Sequence, residues 1–365
     1  MKWDWNVGSY AGIAVRVHAT FVLLLAWVGG SHLLGGRGVT GAAAAVGFIT
    51  ALFACVVLHE FGHALMARRF GIRTRDITLY PIGGVARLEK MPDDPRQELW
   101  VALAGPAVNV VIAAALFIWL QATQAMLPMT ELTVAKGPFL ERLMGVNVAL
   151  VAFNMIPAFP MDGGRVVRAL LAMRMEYTRA TQIAATLGQG MAMLLGLFGV
   201  LGNPMLLFIA FFVWIGAGQE AGMVQVKSAL GGIPVQRAMI TDFETVTPHD
   251  PLSRPVQILL TRSQTDFPVV DPFGIVGILT RADLIAGLAR NGEALTVRDV
   301  MRTDFTAVDE HVMLEIAFAR LQECQCRTIA VLRGTELVGM VTMDNMGEFL
   351  AVQAALKQAG ARHAV

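Results

Sequence analysis

Residues 41–58 read GAAAAVGFITALFACVVL, with no charged side chain, and the next five are His59-Glu60-Phe61-Gly62-His63. A helix over this run is long enough to cross most of a bilayer. On that helix the two histidines, four residues apart, share a face. His-Glu-x-x-His on a helix is a zinc-hydrolase signature in which the glutamate serves as general base. Ionisable side chains at membrane depth are costly and usually functional. The combination implies peptide-bond cleavage in or beside a membrane.

The rest of the chain agrees with that setting. It is 55% hydrophobic and 16% charged, with a mean hydropathy of +0.57, where soluble domains carry about 25% charged residues. A polytopic α-helical core of about six spans is predicted, near residues 18–36, 41–65, 97–121, 138–158, 181–201 and 203–223. Residues 1–232 carry 17 Lys/Arg against 12 Asp/Glu, and residues 233–365 carry 12 against 16. The excess of basic residues lies in the hydrophobic part, so those charges flank spans, and nothing resembles a nucleic-acid-binding run. They collect on one side. Arg68, Arg69, Arg73, Arg75, Arg87, Lys90 and Arg96 follow the second span, and Arg165, Arg168, Arg174 and Arg179 follow the fourth. By the positive-inside rule this predicts a multi-pass protein of the cell membrane, in contact with lipid, with both termini in the cytoplasm. Lys2, Asp4 and Arg16 precede the first apolar run, so no cleavable signal peptide is read. Three cysteines make no disulfide framework. Cys324 and Cys326 read as ordinary thiols and Cys55 as packing.

Two segments stand apart from the spans. Asp76–Leu88 reads as two short extended pieces around Pro81 and Gly83-Gly84, a membrane-associated β-hairpin. Extended backbone at that depth needs protein or water beside it. Near a protease site its edge would hold an unwound substrate by main-chain hydrogen bonds. The other segment is the tail, where Val235–Leu288 and Val297–Leu350 repeat without a gap. Met239 matches Met301, and Gly277-Ile-Leu-Thr280 matches Gly339-Met-Val-Thr342. Each copy reads as strand, helix, two strands and a second helix, so two copies would bury a common face. The expected division is a membrane domain over 1–232 and an α/β tail over 233–365, with repeats at 233–292 and 293–352.

Two histidines leave a catalytic zinc site one protein ligand short. The best acidic candidate is Asp162, in Asn154-Met-Ile-Pro-Ala-Phe-Pro-Met-Asp-Gly-Gly-Arg165, where prolines and glycines break an apolar helix. His59-Glu60-x-x-His63 together with Asn154-x-x-Pro-x-x-Pro-x-Asp162-Gly163 resembles the paired signature of the site-2 proteases, intramembrane zinc metalloproteases. Ala104-Gly105-Pro106-x-x-Asn109 also looks like a motif of that family, and the tail resembles a tandem CBS pair found in one of its branches. The resemblance implies one Zn2+ held by His59, His63 and Asp162. It implies Glu60 as the base that moves a proton from the attacking water to the leaving amine. Asn154 would hydrogen-bond the substrate backbone or the developing oxyanion. His18, at the start of the first span, is a possible accessory residue, and Gly105, Pro106 and Asn109 are read as shaping a close helix contact. The substrate would be a membrane-tethered protein, cut in or near its transmembrane segment in regulated proteolysis. The CBS resemblance implies an adenine nucleotide, with Thr280 and Asp283 as contacts, and a homodimer through the module. Asn345 stands where the second copy would repeat Asp283. The rival readings are a CBS-regulated transporter or channel, and a zinc-binding scaffold without catalysis.

Overall fold

The computed structural model describes residues 3–89, 92, 94–123, 137–262, 264–291, 295–324 and 326–363. It divides into two compact units, Met1–Val224 and Gln225–Val365.

The first unit runs β1 (Asp4–Tyr10), β2 (Ile13–His18), α1 (Ala19–Leu34), α2 (Gly38–Arg69), β3 (Thr74–Tyr80), β4 (Gly83–Leu88), α3 (Pro95–Ala122), α4 (Phe139–Asn154), α5 (Asp162–Ala172), α6 (Tyr177–Leu201) and α7 (Pro204–Leu230). All six predicted stretches hold helices. Among the described residues α2, α3, α6 and α7 are long and apolar enough to cross a membrane. The helices α1 and α4 have 16 residues each, about 24 Å of rise against a hydrocarbon core of about 30 Å. Gly35-Gly36 follows the first, and Pro157 follows the second three residues after its end. The 32 residues of α2 span about 48 Å, so His59 lies roughly 32 Å from its start, near the far boundary.

The predicted hairpin is β3 and β4, paired antiparallel about Pro81-Ile82. Residues 4–18, not read as strands from the sequence, extend it into a four-stranded sheet of order β1-β2-β3-β4. The strands β2 and β3 run parallel, from Ala14↔Asp76 to Val17↔Leu79, and α1 and α2 form the crossover. Ile13 and Ile77 are buried against Ala64 of α2, which fixes the sheet beside the histidine pair.

The second unit takes the last residues of α7, from Gln225, and then one 3-10 turn, Val235–Arg237. It continues with α8 (Ser253–Arg262), β5 (Asp266–Asp271), β6 (Gly274–Thr280), α9 (Arg281–Asn291), α10 (Val297–Val300), β7 (Ala307–Asp309), α11 (Leu314–Cys324), β8 (Thr328–Arg333), β9 (Glu336–Thr342) and α12 (Met343–His363). The repeats interlock. Ile240 exchanges both backbone hydrogen bonds with Met340 of β9, at 2.8 and 3.0 Å, and Arg302 does the same with Ile278 of β6, at 2.9 and 3.0 Å. Each repeat therefore lends its leading arm to the other's core. Val235 and Ala238 are buried with Leu314, Ile329 and Val341, and Val297 with Phe267, Val269 and Leu279. The repeated glycines mark the crossings: a Cβ at Gly277 would lie 2.7 Å from the Arg302 carbonyl, and one at Gly339 2.6 Å from Met239 Sδ.

Cys324, the last residue of α11, and Cys326 have Cα atoms 5.1 Å apart, within the range that a disulfide could bridge.

Gly277→Val tests the interlock, because a backbone carbonyl cannot step aside as a flexible side chain does. In the full-length protein it should lower stability by roughly 1–3 kcal/mol, the range for overpacking, measured as thermal unfolding against wild type.

Candidate active site

His59, His63 and Asp162 meet in one buried cluster, at 6%, 4% and 6% exposure. The two Nε2 atoms are 3.1 Å apart, and each is 3.2 Å from Asp162 Oδ2. Metal–ligand bonds of 2.0–2.1 Å in a tetrahedron give ligand–ligand edges of roughly 3.3 Å, close to this triangle. His63 Nδ1 lies 2.7 Å from the Val101 carbonyl, which can only accept, so Nδ1 carries the proton. His59 Nδ1 lies 2.5 Å from Asn109 Oδ1 and donates to it. Both Nε2 atoms then present lone pairs. With the buried Asp162 Oδ2, which has no hydrogen-bond donor among the described residues, three acceptors converge in a buried site. A cation between them turns that repulsion into coordination, and two imidazoles with one carboxylate suit zinc.

The surrounding chain keeps the space open. A Cβ at Gly105 of α3 would lie 2.7 Å from His59 Nε2 and closer still to His63 Nε2. Gly62 of α2 faces the same crossing, where a Cβ would lie 2.6 Å from the Ala104 carbonyl. The Gly105-Pro106 motif is thus a close helix contact, as the sequence suggested, and it is made against the histidines themselves.

Asp162 arrives from a different direction. Residues 155–161 form a packed loop in which Ala158 and Phe159 are fully buried. It fits against Gly188 of α6 and Gly216 of α7, where Cβ atoms would lie 3.2 Å from Ala158 Cα and 2.6 Å from Pro160 Cδ. Helix α5 starts at Asp162, and Arg168, on its next turns, anchors it. That guanidinium is fully buried. It donates to Glu98 of α3 at 2.8 Å, pairs with Glu220 of α7, and lies near the Phe159 and Tyr177 rings. In the sequence Arg168 counted only as a span-flanking charge.

The other predicted residues lie around or away from this cluster. Glu60 is half-buried beside β4, since a Cβ at Gly84 would lie 2.9 Å from its Cγ. Asn154 is half-buried at the end of α4, and the buried amides tied to the cluster are instead Asn109 and Asn147. His18 caps α1, accepting from the Thr20 amide at 3.3 Å, with its ring 5.0 Å from that of Tyr80; it is not brought into the cluster. In the tail, Thr280 lines a cleft of about 910 Å3 with Arg281, Arg302 and Arg327. Asp283 is turned to Arg302, which donates at 2.6 and 3.0 Å, and to Thr280. Asn345 lines a second cleft of about 630 Å3. Asn147 had no motif to announce it. The available signal was only an amide within a mostly apolar helix, which does not say what it meets.

A His-Glu-x-x-His helix completed by a distant carboxylate among apolar helices defines a membrane metalloprotease. The family profile described as Peptidase family M50 matches residues 47–137 and 129–196, and that of the CBS domain matches 235–290 and 297–351. A zinc metalloprotease of Methanocaldococcus jannaschii is 32% identical over 95% of this chain and 96% of its own. Stage IV sporulation protein FB of Bacillus subtilis is 28% identical over 40% of this chain and 47% of its own. A solved site-2 protease from Methanocaldococcus jannaschii covers 60% of this chain and 95% of its own, at 36% identity and a TM-score of 0.44. The chain belongs to peptidase family M50, the site-2 proteases, with a tandem CBS module at its C-terminal end.

Two measurements bear on these contacts. Gly105→Ala should weaken zinc binding by at least about tenfold, read as zinc retained by purified full-length protein against a chelator. For the tail, hydrogen bonding from Arg302 holds the Asp283 carboxyl below its ordinary range. A lowered pKa stabilises the fold above the free carboxyl value, near about 3.9, and that contribution fades as pH falls through the lowered value. Full-length Arg302→Gln should therefore lose thermal stability relative to wild type at neutral pH, and the difference should shrink below about pH 4.

Proposed function

We propose that this metalloprotease hydrolyses a peptide bond in or beside the transmembrane segment of a membrane-tethered protein, in regulated proteolysis, with zinc held by His59, His63 and Asp162. The observation that carries this reading is the passage of β4 beside Glu60, next to the ligand cluster. β4 is an outer strand of its sheet. A transmembrane helix has its carbonyls engaged in its own hydrogen bonds and must be unwound before attack. An outer strand offers the extended segment replacement main-chain partners.

Zinc, when bound, lowers the pKa of the hydrolytic water and polarises the scissile carbonyl. Glu60 accepts a proton from that water as the carbon–oxygen bond forms. It returns the proton to the amine nitrogen as the carbon–nitrogen bond breaks. Asn154 donates to the substrate backbone or to the oxygen that gains charge. The packed loop 155–161 and the small residues of α6 and α7 limit water to what the reaction uses. The Lys/Arg asymmetry supports cytoplasmic termini, with the site near that face. Burial of Arg168 removes one charge from that count and leaves the asymmetry standing.

The CBS module binds an adenine nucleotide in the larger cleft in this reading. Arg281, Arg302 and Arg327 supply the phosphate contacts. Release of Asp283 from Arg302 frees it for a ribose. Nucleotide level then biases the protease through different affinity for its open and closed arrangements.

Glu60→Gln keeps the metal ligands and removes the base. In the native host, its membrane proteome should accumulate at least one uncleaved single-span protein absent from wild type. An unchanged proteome, with the protein expressed, would remove the proteolytic reading.

A further inference from the structure

A chain of buried amides runs from His59 to a backbone carbonyl on α4. Asn109 Oδ1 faces His59 Nδ1 at 2.5 Å. Asn109 Nδ2 donates to Asn147 Oδ1 at 2.8 Å, and Asn147 Nδ2 donates to the Leu143 carbonyl at 2.8 Å. Cys55 Sγ lies 3.4 Å from the same Nδ2 and takes its second hydrogen. Both asparagines are 0% exposed.

A side-chain amide has a donor end and an acceptor end of nearly the same shape, so its shape alone does not orient it. Here the far end of the chain decides. The Leu143 carbonyl can only accept, so Asn147 turns its NH2 toward it and its oxygen toward Asn109. Asn109 must then donate to Asn147 and present its own oxygen to His59. Reversing either amide sets two oxygens face to face and strands a buried donor, a cost of about 1–3 kcal/mol for the unmet group alone. His59 is therefore obliged to hold its proton on Nδ1 and keep the Nε2 lone pair toward Asp162. His63 needs no such chain, because it bonds the Val101 carbonyl directly.

We infer that Asn147 is a positioning residue for the metal centre: acting through Asn109, it fixes the tautomer in which His59 can bind a cation. This rests on the reading of His59, His63 and Asp162 as zinc ligands. It makes a specific demand on α4, which touches no ligand through Asn147 yet sets the polarity of one.

The test uses full-length protein in detergent, labelled with 15N in its imidazoles and freed of metal. Spectra are taken at about pH 8, where ordinary imidazoles are neutral. Wild type should show both His59 and His63 protonated on Nδ1. Asn147→Leu should move His59 toward the Nε2-protonated form while His63 stays unchanged. The same variant should raise the zinc dissociation constant, measured against a competing chelator, by about 10–100-fold. Asn147→Ala, which leaves room for a water able to donate or accept, is the second variant and should shift in the same direction. The inference is overturned if His59 keeps its Nδ1 proton in a folded variant, or if zinc binding stays within about twofold of wild type. Equal disturbance of His59 and His63, or failure of both variants to fold, would assign Asn147 to helix packing and overturn it as well. Failure of wild type to bind zinc would overturn the metal-centre reading beneath it, and is distinguished by that control.

Discussion

Three electron-pair donors packed against one another inside apolar helices are unstable without a positive charge among them. In water each would be solvated. In the protein interior an unpaired buried charge costs far more than the few kcal/mol by which folds are stable. The neighbourhood of His59, His63 and Asp162 answers that constraint. Two donors come from one turn of α2. The third comes from the first residue of α5, after a loop whose close fit to glycines on α6 and α7 leaves it little freedom. Gly105 keeps the centre of the cluster clear, and two hydrogen bonds on the outer sides of the imidazoles turn their lone pairs inward.

The same rule governs the deeper ion cluster. Arg168 cannot be buried alone, and it is met by Glu98 and Glu220 from two other helices. Removing one partner of such a group is far more damaging than the group is stabilising, so its main effect is geometric. It ties α3, α5 and α7 into one arrangement and holds the helix that begins with Asp162. A ligand and the pairing that positions it thus lie within seven residues, Asp162 to Arg168.

In the tail the determining contact is between backbones. Each repeat crosses the other with its leading arm, and neither core is complete without the partner copy. Glycine recurs where the arms cross because a side chain there would strike a carbonyl or a methionine sulfur. The repeated Gly-x-x-Thr pattern therefore carries a packing requirement in both copies. Its aspartate differs between them, and in the first copy that aspartate is held by an arginine delivered on the arm of the second.

The order of hydrophobic spans, the histidine pair, the distant carboxylate and the internal repeat were all readable in the sequence. Each depends on local periodicity or on residue types whose chemistry narrows the choice. The hairpin, read over Asp76–Leu88, was readable too, from Pro81 and Gly83-Gly84. The two strands ahead of α1 were not. They pair with each other locally, but β1 buries no side chain and β2 only Ile13 and Val15, and what fixes them is the pairing of β2 with β3 about sixty residues on. Nor were Asn147 and the true role of Arg168, since a polar residue in a helix reads the same whether it meets water, lipid headgroups or another helix. The sequence by itself determined which chemical groups the protein has for hydrolysis and in what order they enter the membrane. Tertiary structure decided that the carboxylate reaches the histidines, which amides and carbonyls orient them, and which arginine is a buried anchor. Those outcomes depend on which helix faces meet, and that is a property of packing between distant segments, not of any one segment's residues.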